Sequence, residues 1–226
     1  MTARFSSTRL KLLGSGTALP GESVDNDALL AALRKHCGPA KTALARKFAN
    51  RLGIRARHVS RDLTTARSGA REGMDAPSLC GTALERAGSD ISMTYLVGHT
   101  STPHTMLPPN VAWVADRLRY DGPYMELRQA CTGFSSALTI AAAMIKENPI
   151  ERVGIVGSEN GSPYFDISSD FADREQLINF VQMGDGAGAI RVGADDYTDE
   201  AIVSDIFSGQ LGIDKAPGIR IEGGGS

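Results

Sequence analysis

One stretch limits the possible folds more than any other: Tyr124-Met-Glu-Leu-Arg-Gln-Ala-Cys131-Thr-Gly-Phe-Ser-Ser-Ala-Leu-Thr-Ile-Ala-Ala-Ala-Met-Ile145. A short run of strand character, Tyr124 to Leu127, is followed within a few positions by a helical pattern over Thr132 to Lys146. Gly133, Ser135, Ser136, Ala137, Ala141, Ala142 and Ala143 let neighbours approach that helix closely, so it belongs in an interior. A strand that feeds a buried helix across a tight turn needs a sheet beneath it and further elements around it.

The rest of the chain supplies them. Leu10 to Leu13 reads as a short strand entering a glycine turn, Gly14-Ser-Gly16. Helices are expected over Asp25 to His36 and Lys41 to Leu52, with Asp25 as N-cap and Gly38-Pro39 as the break between them. A short extended segment, Gly53 to Val59, precedes a helix over Ala76 to Ala87 that closes at Gly88. Met93 to Val97 is a buried-strand run, and the Pro-rich loop Thr102 to Pro109 leads to a helix from Val111 to Leu118. Further on come a strand at Arg152 to Val156 and a helix near Asp173 to Phe180. Gly186 to Val192 and Ala201 to Phe207 read as two strands paired with each other. Strands separated by helices give an α/β fold with a mixed, mostly parallel sheet and helices on both faces. Residues 1–195 form the main unit and 196–226 a linker or the start of a second half, since Gly209 to Ser226 is glycine-rich and no regular element closes the sheet there.

Composition removes several classes of function. With 226 residues, 42% apolar, 22% charged and a net charge of -2, the chain is expected to be globular and not disordered. The uncharged stretch Gln129 to Ile145 is too short and too polar for a membrane span. Met1 to Leu10 has no apolar core of a signal peptide, and Cys37, Cys80 and Cys131 fit neither a disulfide framework nor a zinc site, so a reducing cytoplasm is expected. The small net charge conceals an asymmetry: Met1 to Glu72 holds 14 Lys and Arg against 5 Asp and Glu. Arg34, Lys35, Lys41, Arg46, Lys47, Arg51, Arg55, Arg57, Arg61, Arg67 and Arg71 carry most of the excess, either as a solvated face or as a landing site for an acidic or phosphate-bearing partner. Few aromatics interleave with these cations, which argues against nucleic acid.

Cys131 is the residue with chemistry in it. At a helix N-terminus, unpaired N–H groups and the positive end of the dipole favour thiolate over thiol, which is what a nucleophilic cysteine needs. The competing reading is a structural cysteine packed as a small hydrophobe. Cys37, beside Gly-Pro, and Cys80, inside a surface-type helix, have no comparable setting. His36, His58, His99 and His104 read as surface or loop histidines, although His99 and His104 follow a strand end.

Four motifs in order carry a resemblance. Ala130-Cys131-Thr-Gly-Phe134 resembles the nucleophile segment of β-ketoacyl-acyl-carrier-protein synthase III and its relatives of the thiolase fold. Leu52-Gly-Ile-Arg-Ala-Arg-His58 is similar to the family's Thr-Gly-Ile-Arg-x-Arg segment. Val153-Gly-Ile-Val-Gly-Ser-Glu159 resembles its strand ending in Gly-Ser-Glu, and Met183-Gly-Asp-Gly-Ala-Gly-Ala189 its glycine-rich turn. The resemblance implies a thiolase-like fold of two similar halves, of which this chain holds the first and the beginning of the second.

The resemblance also implies an activity. Cys131 would take an acyl group as a thioester and pass it to a carbanion formed by decarboxylation of a malonyl thioester on acyl carrier protein. It implies no tightly bound cofactor, with an acyl thioester of carrier protein or coenzyme A as substrate, and a homodimer or a heterodimer with a ketosynthase-like chain. Arg51 matches a family arginine near the phosphates, Met106 or Leu107 falls where an aromatic lines the acyl pocket, and Phe134 follows the nucleophile. Departures are equally specific. The His and Asn that complete the family's site lie beyond this sequence. The tryptophan that grips adenine is replaced by Lys47, and the loop Asn160-Gly-Ser-Pro-Tyr164 offers no arginine, which points to carrier-protein delivery. Two other readings stand beside this one: a non-catalytic ketosynthase-like subunit supporting a partner enzyme, and a nucleotide-binding domain entered through Gly14-Ser-Gly16. Pro20 and the spacing to Gly21 disfavour the second.

Overall fold

A computed structural model describes residues 3–88, 92–168, 170, 172–198 and 201–209. In chain order the elements are β1 (Ala3–Ser6), β2 (Leu10–Ala18), β3 (Val24–Asp25), α1 (Asn26–Leu52), β4 (Ala56–Arg57), α2 (Ala76–Arg86) and β5 (Tyr95–His99). There follow α3 (Asn110–Leu118), β6 (Tyr124–Leu127), α4 (Gly133–Glu147), β7 (Val153–Glu159), α5 (Arg174–Gln182), β8 (Gly186–Ala194), β9 (Ile202–Val203) and β10 (Ile206–Gly209).

Local chemistry sets many of these bounds. Asp25 caps α1 by accepting from Ala28 N at 2.8 Å, and Asp75 and Asp173 cap α2 and α5 in the same way. Gly38, at φ 81, breaks α1 in front of Pro39, and Gly53, at φ 71, ends it with its N–H on Ala49 O.

Six strands form one mixed sheet in the order β6-β5-β7-β8-β2-β9. β5 runs parallel to β6 and β7, whereas β7–β8, β8–β2 and β2–β9 are antiparallel. The antiparallel share is therefore larger than strand–helix alternation indicated. The pairing expected between 186–192 and 201–207 does not form: β7 and β2 occupy both edges of β8, while β9 joins β2 and β10 joins β1.

One face of the sheet is covered by α2 and α3, through Leu79, Ala83, Leu84, Val111 and Val114 against Leu96 and Val156. The other face carries α4, whose Ala137, Ala141, Ala142 and Ile145 pack on Val97, Val153, Ile155 and Val192. A third cluster joins α1 to α5. Gly14 and Gly16 do not form a turn; both lie inside β2. A Cβ at Gly14 would stand 2.1 Å from Ala87 O, and one at Gly16 2.3 Å from Ala83 O, so α2 rests directly on the strand backbone. Glycine is there for the helix.

Candidate active site

The turn from β6 to α4 leaves Cys131 exposed, one residue before the N-cap Thr132. No side chain caps α4, so its first turn is left open at the end that carries Cys131. Cys37 and Cys80 are both buried. Cys80 belongs to the inward face of α2, not to a surface helix, because that face lies on the sheet. Burial pushes its thiol up to about 12, and burial raises Cys37 as well.

Beside the start of α4 opens a cleft of about 890 Å3. Its floor is largely main chain, from Gly184 to Ile190, with Ser15 to Thr17 on one side and Gly157 to Glu159 on another. Phe134 and His99 supply its rings, with centroids 6.2 Å apart. Of the residues expected at the site, Phe134 lines this cleft. Met106 and Leu107 project from the loop between β5 and α3, and Arg51 lies in the exposed last turn of α1; none of the three lines the cleft, and neither does Cys131.

His99 corrects the sequence reading. It is half-buried, and its ring lies between two glycines: a Cβ at Gly133 would come within 2.8 Å of Nδ1, and one at Gly157 within 2.1 Å of Nε2. Burial lowers its pKa, and the more distant Glu159 opposes that weakly, so the cleft holds a neutral imidazole at neutral pH. Glu159 is itself fixed at the end of β7 by Ser101 N, Ser101 Oγ and Thr102 Oγ1 at 2.7–2.9 Å.

Behind the cleft the motifs are tied together through a residue that the sequence did not single out. Asp185 accepts from Ser60 N at 2.6 Å, from Ser162 N at 2.9 Å and from Ser162 Oγ, while its own N–H donates to His58 O. Ser60 Oγ in turn donates to Asn160 Oδ1. The loop after Glu159 is thus committed to this knot, with Asn160 and Ser162 buried, and offers no surface grip. Its one signal in the sequence was an acidic residue between glycines at the mouth of an apolar strand.

Two of the supposed surface cations also turn inward. Arg61, 1% exposed, donates to the carbonyls of Phe165, Thr65, Ala66 and Arg67, and Arg57 donates to Val181 O. Both guanidiniums serve as carbonyl clamps. Arg34, Lys47, Arg51 and Arg55 remain exposed. Among the described residues no cluster of His, Cys, Asp and Glu could hold a metal, and no helix is long and apolar enough to cross a membrane.

Residues 125–209, which span Cys131, Glu159 and Asp185, match the family model for 3-oxoacyl-[acyl-carrier-protein] synthase III. The β-ketoacyl-[acyl-carrier-protein] synthase III of Thiobacillus denitrificans is 31% identical over 193 residues, covering 83% of this chain and 53% of that protein. The chain belongs to the ketosynthase III family. Its fold agrees with those of other thiolase-like enzymes: the solved 3-oxoacyl-(acyl carrier protein) synthase III of Pseudomonas aeruginosa superposes with a TM-score of 0.62 at 27% identity, over 83% of this chain and 51% of that one. A tetronic acid condensing enzyme gives 0.67 at 25% identity, over 83% and 55%. This ketosynthase III-family chain spans about half the length of the curated relatives it matches.

Proposed function

We propose that this chain carries the nucleophile of a β-ketoacyl-acyl-carrier-protein synthase III-type condensing enzyme. The observation that supports this most is the placement of Cys131. It is the exposed cysteine of the three, at the uncapped head of α4, within the segment that matches the family. In the first half-reaction the Cys131 sulfur attacks the carbonyl of an acyl thioester, forms the acyl-cysteine and releases the carrier thiol. In the second, a malonyl or β-ketoacyl thioester supplies a carbanion, with loss of carbon dioxide in the malonyl case and of the α-proton to a base in the β-ketoacyl case. A C–C bond forms and the cysteine leaves as thiolate. In this reading the oxyanion is stabilised by main-chain N–H groups, one of them that of Cys131 itself.

The donor is assigned to an acyl carrier protein. Lys47 replaces the adenine-gripping aromatic of coenzyme A users, and Lys47 and Arg51 lie exposed on α1, where they attract an acidic carrier. Assembly as a dimer with a like chain, and a cytoplasmic setting that keeps three free thiols reduced, belong to the same reading.

Incubation with an acyl-carrier thioester followed by peptide mapping tests it. Acyl label on the Cys131 peptide, lost in Cys131→Ala, is the expected result. Wild-type protein that stays unlabelled would overturn the reading in favour of a supporting subunit. Neutralising Lys47 and Arg51 together is expected to weaken carrier association and flatten its salt dependence; unchanged affinity at low ionic strength would remove the docking assignment.

A further inference from the structure

Between strands β5 and β7 and helices α2 and α3 lies a small cavity whose walls include Cys80, Gly98, Asn110, Val111, Glu126 and Ser158. It offers about 10 Å3 to the centre of a water molecule, which is room for one. Its walls are polar at Asn110, Ser158 and Glu126, and His99 lines it too, with a buried Nδ1 that has no hydrogen-bond partner among the described residues. Asn110 is 3% exposed, and its Nδ2 has no hydrogen-bond partner among the described residues. The orientation of that amide is fixed by its other end, because Asn110 Oδ1 accepts from His104 N at 2.7 Å. Ser158 is equally buried, and its Oγ has no hydrogen-bond partner among the described residues. The Glu126 side chain is 3% exposed. Its Oε2 accepts from Val111 N at 2.9 Å, and its Oε1 stands 2.7 Å from Arg128 Nε, off the line of a hydrogen bond.

These groups select their occupant. The Asn110 amide donor repels a cation, the Glu126 carboxylate repels an anion, and an apolar guest would leave Asn110 and Ser158 unpartnered. What fits is neutral, no larger than one oxygen, and able to accept and donate at once.

We propose that a single internal water is bound here, accepting from Asn110 Nδ2 and donating towards Ser158 Oγ and Glu126, and that it clamps the loop 102–109. Asn110 and Arg128 supply two of that loop's holds, beside those that Glu159, Tyr164 and Trp113 make on Thr102, Pro103 and Thr105. Asn110 takes the N–H of His104, and Arg128, lying against Glu126, donates to the carbonyls of Thr105 and Met106 at 3.4 and 3.5 Å. The water joins the two holds, since Asn110 and Glu126 share it. The loop carries the exposed Met106 and Leu107, so the clamp sets where its apolar tip stands. This site is independent of any acyl chemistry.

A crystal structure at a resolution that orders solvent tests the site. One density peak within about 3.2 Å of both Asn110 Nδ2 and Ser158 Oγ is expected. No peak there, or an Asn110 amide bonded directly to a protein acceptor, overturns the proposal. Two variants test the clamp by hydrogen exchange. Ser158→Ala removes one partner of the water. Gly98→Ala sets a methyl among the cavity walls, 3.1 Å from Val111 Cβ and 3.5 Å from Glu126 Oε2. Exchange at His104 N–H is expected to quicken about tenfold in both, with the amides of β8 unchanged. Unaltered exchange at His104 in both variants would refute the clamp.

Discussion

Replacing Asp185 by Ala removes the acceptor on which the motifs behind the cleft converge. Ser162 N would then be buried with no acceptor, at a cost of about 1–3 kcal/mol. Ser60 N would fare better, because Ser162 Oγ already stands 3.1 Å from it and serves as a second acceptor. The charge-assisted bonds that are lost are each worth about 1.5–3 kcal/mol, offset by the relief of desolvating one carboxylate. Arg61, buried and with its pKa lowered by that burial, would also lose one of the carboxylates that oppose the shift, after Asp166 and Asp62. The net expectation is a loss of about 3 kcal/mol for Asp185→Ala and about 2 kcal/mol for Asp185→Asn, which keeps one acceptor oxygen. For a chain of this size that lowers the melting temperature by about 6–12 °C for the alanine variant. Urea unfolding followed by circular dichroism measures the loss directly. An alanine variant within 1 kcal/mol of the parent would show that the three donors find other acceptors, and the account of the knot would be wrong.

The thiols give a second test: one cysteine of three should react with a thiol reagent in the folded protein at pH 8 and all three in denaturant. At a pKa of about 12 the Cys80 thiolate fraction is about one in ten thousand, and the thiol is buried besides. Gly16→Ala should destabilise by about 3 kcal/mol, because its Cβ would press on the main chain of α2, whereas Gly188→Ala, with nothing within 4 Å of its Cβ, should stay within about 0.5 kcal/mol. Equal effects in urea titrations would refute the close approach of α2. For His99 the burial-lowered pKa means that the unfolded chain takes up the proton first as pH falls. Stability should therefore decline as pH drops through about 6.5 towards the folded value, then level off. His99→Gln should lack that decline, and an unchanged pH profile would show that the imidazole is not buried as described.

Much of this architecture was legible because it is local. The β6–α4 unit, the Asp25 cap and the Gly38-Pro39 break are written in neighbouring residues, and the structure differs from them by a residue or so. What escaped depends on partners far away in the chain. Gly14 and Gly16 look like a turn until α2, some seventy residues on, is placed against them. Arg57 and Arg61 look like surface cations until the carbonyls of Phe165 and Val181 arrive beside them. The pattern of charge gave no warning, since a buried guanidinium and a solvated one are the same letter. Cys131 was singled out from its local setting and His99 was not, because the two glycines that make room for its ring come from α4 and β7. Asp185 was quoted within a motif and passed over for the glycines around it.

The position of β2 bears on how such a chain is made. Both strands that flank it, β8 and β9, are made some 180 residues after it. Until residue 203 has left the ribosome, Leu10 to Ala18 has main-chain donors and acceptors on both edges and nothing to bind them. Pairings so remote are slow to close. During synthesis this strand is therefore open to mispairing, and a natural point at which a chaperone would hold the nascent chain.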